Sequence, residues 1–190
     1  MSVANLGYVI LQMKDPQGWA DFGVNILGFR QADRTDADGA TFLRMDSAPF
    51  RYMVIPGDEE KLFSTGLDMT NESRFEAMLT SLEAAGTKMA RGNATEAARR
   101  AVSAFAFGHD PAGNRFELFY GRDADTPFTS NVNVSGFVTG DMGLGHAVLP
   151  APNIKAVAKF YTVILGFGIC DELDLPPPAE GAPDQKIIFL

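Results

Sequence analysis

Apolar and polar positions along the chain fall into three recurring groups. Leu6-Gly7-Tyr8-Val9-Ile10-Leu11 is an apolar run of strand length, cut off by Lys14-Asp15-Pro16. Asp followed by Pro is a helix-start signal, and the next segment places Trp19, Phe22 and Ile26 on one helical face before Gly28 ends it. Extended segments are expected at 41–45 and 51–55. A second group begins with a strand over 63–69. It continues with a helix over 72–85 whose inward residues are Phe75, Met78, Leu79 and Leu82, closed by Gly86. Strands at 101–107 and 115–120 follow, joined by Asp110-Pro111-Ala112-Gly113-Asn114, a hairpin turn by composition. The third group opens with an apolar strand at 144–149. After Pro150-Ala151-Pro152-Asn153 comes a helix with Val157, Tyr161, Ile164 and Leu165 inward, ended by Gly166. The Pro-rich, acidic stretch 174–184 reads as a loop, and Ile187-Ile188-Phe189-Leu190 as the start of another strand.

The first and third groups repeat one another at a fixed offset of 138 residues. Leu6-Gly7-Tyr8-Val9-Ile10-Leu11 matches Leu144-Gly145-His146-Ala147-Val148-Leu149, Phe22 matches Phe160, and Ile26-Leu27-Gly28-Phe29 matches Ile164-Leu165-Gly166-Phe167. Register kept without a gap over 24 positions marks a duplicated unit. The chain therefore reads as α+β, with three strand–helix–strands units starting near residues 5, 62 and 144. The first two form one domain, 1–122. The polar, Gly-containing stretch 123–142 is a connector, and 143–190 is an incomplete third unit. A strand with no partner after it is expected of a fragment of a longer protein.

Composition narrows the classes of function. A net charge of −8 offers no basic stripe to displace counterions from nucleic acid. The single Cys170 excludes an intrachain disulfide framework and any Cys-rich zinc site, and suits a reducing, cytoplasmic setting. The longest apolar run, 160–170, is too short to cross a bilayer, and no basic segment precedes an apolar one at the N-terminus. Cys170 reads as a buried structural thiol, His109 as a turn histidine satisfied by its neighbour, and Arg99-Arg100 as solvated surface. Asp58-Glu59-Glu60-Lys61 is a loop charge run. Gly143-Leu144-Gly145 precedes an apolar strand instead of following one, so it is not a dinucleotide loop.

Leu6-Gly7-Tyr8, the 110–114 turn, Phe116-Glu117-Leu118-Phe119-Tyr120-Gly121 and above all the run from Gly136-Phe137-Val138-Thr139-Gly140 to Gly145-His146 resemble the two-domain extradiol catechol dioxygenases. The 2,3-dihydroxybiphenyl and 1,2-dihydroxynaphthalene enzymes are the nearest kinds. The resemblance implies paired βαβββ modules of the vicinal oxygen chelate fold, shared with glyoxalases and bleomycin-resistance proteins. It implies Fe(II), with Mn(II) compatible, held by two His and one Glu, and cleavage of a biaryl or bicyclic catechol by O2 in aromatic hydrocarbon catabolism. It also implies a homo-oligomer, while the charge and the short apolar runs argue against a nucleic-acid or membrane partner.

Residue by residue, His146 falls at the first metal ligand, and Val148 and Phe189 fall at substrate-lining positions. No catalytic acid/base residue falls within the chain. The other ligands and the acid/base His lie downstream, so the chain alone is expected to be inactive and not to retain the metal. In the first domain Tyr8 stands where His146 stands in the third unit, and Phe63-Ser64-Thr65 lies where a second His would come. Glu117 there is a relict or structurally paired carboxylate, and the domain is non-catalytic. A strand histidine by itself is commonly a hydrogen-bonded structural residue, so the ligand reading rests on the resemblance. The alternative is a binding or sequestration protein of the same superfamily, which would have no need of His146 in that register. A glyoxalase-like isomerase fits less well, because of the 123–142 connector.

Overall fold

The computed structural model describes residues 2–34, 36–123, 127–177, 179 and 185–190. The first apolar run forms β1 (Asn5–Met13). Its alternation sends Tyr8 and Ile10 to one face and Leu11 to the other. The Asp15 side chain accepts from the Gly18 amide at 2.9 Å and so caps α1 (Pro16–Phe22), with Pro16 in the first turn, where a missing N–H costs nothing. β2 (Arg30–Gln31), β3 (Thr41–Arg44) and β4 (Tyr52–Pro56) complete the first unit. The second comprises β5 (Lys61–Asp68), α2 (Glu72–Ala84), β6 (Ala90–Arg91), α3 (Ala94–Arg100), β7 (Ala104–His109) and β8 (Arg115–Tyr120).

Eight strands form one sheet in the order β2-β3-β4-β1-β5-β8-β7-β6. The two halves read alike outward from the centre. β1 is parallel to β4, β5 is parallel to β8, and the halves meet through the antiparallel pair β1–β5. One face gathers Tyr8, Phe42, Phe50, Met53, Phe105 and Phe119. The opposite face is covered by α1 over Leu43 and Val54, and by α2 over Leu67, Phe116 and Leu118.

The third unit holds α4 (Ile154–Lys159) and a separate antiparallel ribbon of β9 (Asp171–Leu175) and β10 (Gln185–Phe189). The repeat is visible in backbone detail. α1 runs on as a π-helical turn at Gly23–Leu27, and α4 does so at Phe160–Ile164. The wide turn is closed by the same bond in both: Phe29 N–H to Gly23 O at 2.9 Å, and Phe167 N–H to Tyr161 O at 3.0 Å. Gly28 and Gly166 then stop the helices at φ 81° and 78°, a region glycine enters without steric cost. From the third unit Val157, Phe160, Tyr161 and Leu165 join the core of Phe75 and Phe116.

Several expectations are corrected. Phe22 and Ile26 are exposed, and Ala20 and Gly23 face the sheet instead, because the helix seats its small residues there: a Cβ at Gly23 would meet Leu43 at 2.9 Å and Phe29 at 3.2 Å. The strand expected at 144–149 is absent: 145–150 has no regular structure and no ladder partner among the described residues. A strand without a neighbour leaves its backbone groups unpaired. The loop expected from 174 begins later, because Asp174 and Leu175 pair with β10; residues 178, 180 and 181–184 of it lie outside the described residues. Cys170 is exposed, since it precedes the two-stranded ribbon, which buries little. Strand β7 begins at Ala104, not 101, because Ala101 takes a left-handed conformation (φ 53°) that ends α3. The short α3 itself, capped reciprocally by Asn93 and Glu96, was not anticipated.

Candidate functional site

The most heavily buried polar chemistry lies inside the first two units. Tyr8 on β1, Gly66 on β5 and Glu117 on β8 stand in one cross-strand row. Gly66 has no side chain, and the Tyr8 ring covers its Cα, where a Cβ would collide with the ring carbons. Through that gap the Tyr8 hydroxyl donates to Glu117 Oε2 at 2.6 Å. Gly66→Val is therefore expected to displace the ring and cost about 1–3 kcal/mol, read by urea denaturation.

Glu117 is 0% exposed and saturated with donors. Arg100, at the end of α3, approaches as a fork, with Nε to Oε2 at 2.5 Å and Nη2 to Oε1 at 2.8 Å. Arg115, two residues earlier on β8, donates to Oε1. The guanidinium carbons lie over aromatic rings, Arg100 at 3.9 Å from the Phe105 centroid and Arg115 at 4.3 Å from Phe107. Burial pushes the Glu117 carboxyl up. The hydrogen bonds and charge of Arg100, with Arg115 and the Tyr8 hydroxyl, outweigh it and hold the carboxyl below the usual range. Burial, then the Glu117 charge, pushes the Tyr8 phenol well above its ordinary value. Arg100 thus overturns the surface expectation. The missed signal was the Asn93-x-x-Glu96 box, which starts a helix and so fixes which way Arg100 points.

A second cationic pair lies near the start of β1. Arg51 and Arg122 both donate to the Gly7 carbonyl, at 2.8 and 2.5 Å, and Asp46 neutralises Arg51. Burial, then repulsion from Arg51, lowers Arg122 to about 10.

The segment carrying His146 is tied to the first two units on both sides. Leu144 N–H donates to Leu6 O at 2.8 Å, and Asn114 Nδ2 donates to Pro150 O at 2.9 Å. The 110–114 turn forms as expected. Buried Asp110 accepts from the Ala112 and Asn114 amides, from Asn114 Nδ2, and at 3.5 Å from the Tyr161 hydroxyl of the third unit. Between these ties His146 is exposed. Val148 is 80% exposed, and Phe189 is 41% exposed on β10. No group of three or more His, Cys, Asp or Glu that could hold a metal occurs among the described residues. His109 is exposed at the end of β7 and lines a cleft of about 440 Å3 with Lys61, Phe63, Arg115, Leu149 and Pro150. No helix among the described residues is long and apolar enough to cross a membrane.

The family model for the dihydroxybiphenyl dioxygenase BphC D1 domain matches residues 6–57. The chain is 33% identical to an iron-dependent extradiol dioxygenase of Rhodococcus jostii (strain RHA1), over 96% of this chain and 62% of that protein. It is 36% identical to a 1,2-dihydroxynaphthalene dioxygenase of Pseudomonas putida, over 93% of this chain and 59% of that protein. Among solved structures, the halotolerant catechol dioxygenase BphC superposes with a TM-score of 0.86 at 33% identity, covering 90% of this chain and 58% of that one. A Mn(II)-bound glyoxalase from Novosphingobium aromaticivorans, at 24% identity, 88% and 54% coverage and a TM-score of 0.74, shares the fold. The chain thus spans about 60% of the length of the curated relatives it matches.

Proposed function

From the chain's kinship with the extradiol dioxygenases, whose α+β vicinal oxygen chelate fold it shares, we propose that its residues serve in ring cleavage of a catechol of biaryl or bicyclic type by O2. In this reading residues 1–122 are a non-catalytic scaffold, 123–142 a connector, and 143–190 the first part of a catalytic domain. His146 is a metal ligand, Val148 and Phe189 line the substrate pocket, and the assembled enzyme is a cytoplasmic homo-oligomer. The metal is Fe(II), with Mn(II) suited to the same ligand chemistry.

One observation carries the reading. At equivalent positions of the repeat, the first copy has Tyr8, buried and bonded to a carboxylate, whereas the third unit has His146, an exposed imidazole between two anchored backbone points. The sequestration alternative gives no reason for that exchange.

The described residues do not by themselves fit the metal, because His146 has no co-ligand cluster among them. A single imidazole does not hold a divalent ion tightly. The scaffold's part is therefore to fix the His146 segment in place, through Leu6, Asn114 and the Asp110–Tyr161 contact. The expected result with the 190 residues alone, given ferrous iron and 2,3-dihydroxybiphenyl in air, is no ring-fission product. Sustained appearance of the yellow product would overturn the division of labour proposed here.

A further inference from the structure

The Glu117 cluster has the make-up of a binding site whose ligand is already in place. Its floor is a fully buried carboxylate, one wall is the Tyr8 hydroxyl, and the other is the Phe105 ring. These are the groups that recognise a planar organic cation: two acceptor oxygens for a fork of N–H donors, and a π face for the delocalised charge. The guanidinium that fills the space comes from a different element, the last residue of the seven-residue α3. Arg115 also touches Glu117, but it lies on the same strand and stacks on Phe107, so it forms part of the wall.

We propose that the interior of the first domain is a cation-binding cup whose resident ligand is the protein's own Arg100 guanidinium. The cup takes monoalkylguanidinium ions when that side chain is cut back. The duplication gives the cup a context, since Tyr8 occupies in the first copy the place of His146 in the third unit. The interior shared by the first two units has a tethered cation at its centre and no imidazole there. The inference rests on the geometry of Tyr8, Arg100, Phe105 and Glu117, and stands whether or not the parent protein is a dioxygenase.

The test uses the 190-residue chain with Arg100→Ala, its thermal midpoint measured with ethylguanidinium, with ethylammonium and with sodium chloride at equal ionic strength. The expected result is a lowered midpoint that ethylguanidinium restores in a saturable way by at least half of the loss. Ethylammonium and sodium chloride restore none, and the wild type does not respond. Absence of recovery, or equal recovery by all three salts, overturns the proposal. Should Arg100→Ala not fold unaided, its refolding is followed by near-ultraviolet circular dichroism. Recovery of the native spectrum only with ethylguanidinium supports the cup, and no recovery overturns it. Arg100→Lys, whose ammonium keeps the cup charged, is expected to fold with a lower midpoint and no response to ethylguanidinium. A response matching that of Arg100→Ala would contradict a filled cup.

Discussion

Glu117→Ala is expected to lower the stability of the chain by about 3–5 kcal/mol, because it leaves uncompensated buried charge. The carboxylate is the common acceptor of Tyr8, Arg100 and Arg115. Its removal strands two guanidiniums and a hydroxyl in a space lined by Phe105 and Phe107. Glu117→Gln keeps the shape and one acceptor oxygen and should fall between wild type and alanine. The pH dependence has a definite sign. The folded carboxyl lies below its ordinary value. Its stabilisation is therefore fully present above the unfolded value of about 4.3 and is lost as pH falls through the folded value. Urea denaturation should show the gap between wild type and Glu117→Gln at its full size at neutral pH and closing in acid. A gap that widened in acid would contradict the assignment of a charged Glu117.

Phe116→Ala is expected to cost a further about 3–5 kcal/mol of its own, the range for deleting a buried aromatic side chain and leaving a cavity. Phe116 is fully buried on the α2 side of the sheet and meets Phe160 of the third unit edge to face, with ring centroids 5.6 Å apart. Two outcomes should separate its roles. Global stability falls because the core of Leu67, Met78 and Leu118 loses a fully buried aromatic neighbour. The third unit also loosens, seen as faster proteolysis around α4. Phe160→Ala should reproduce the second effect with less of the first. In the double mutant the two losses should fall short of additivity, as expected for residues in contact.

The architecture was largely legible because it is written in the hydrophobic period and in turn chemistry. Asp15-Pro16, the 110–114 turn and the inward face of α2 were read from residue type alone, and all three form. Around α1 a stripe of large apolar residues misleads: the helix seats Ala20 and Gly23 on the sheet, a close approach that small residues allow, and leaves Phe22 and Ile26 outside. The strand at 144–149 failed for a different reason. An apolar run becomes a strand only beside a partner, and among the described residues none lies there.

The candidate residues were legible to different degrees. His146 could be singled out, as a proposed ligand, through the repeat and the family signature. The Tyr8–Glu117–Arg100 cluster could not, because it joins residues far apart in sequence across a row opened by Gly66. A charged pair such as Arg99-Arg100 reads as surface unless the helix that aims it is recognised first.

The central claim is that His146 binds the metal, and metal analysis tests it most directly. A polypeptide of the relatives' full length, purified without chelators and loaded with ferrous iron, is compared with its His146→Ala variant by elemental analysis, with circular dichroism as a check on folding. The account predicts one iron per wild-type polypeptide and essentially none in a variant that remains folded. A folded His146→Ala variant holding as much iron as the wild type would contradict it.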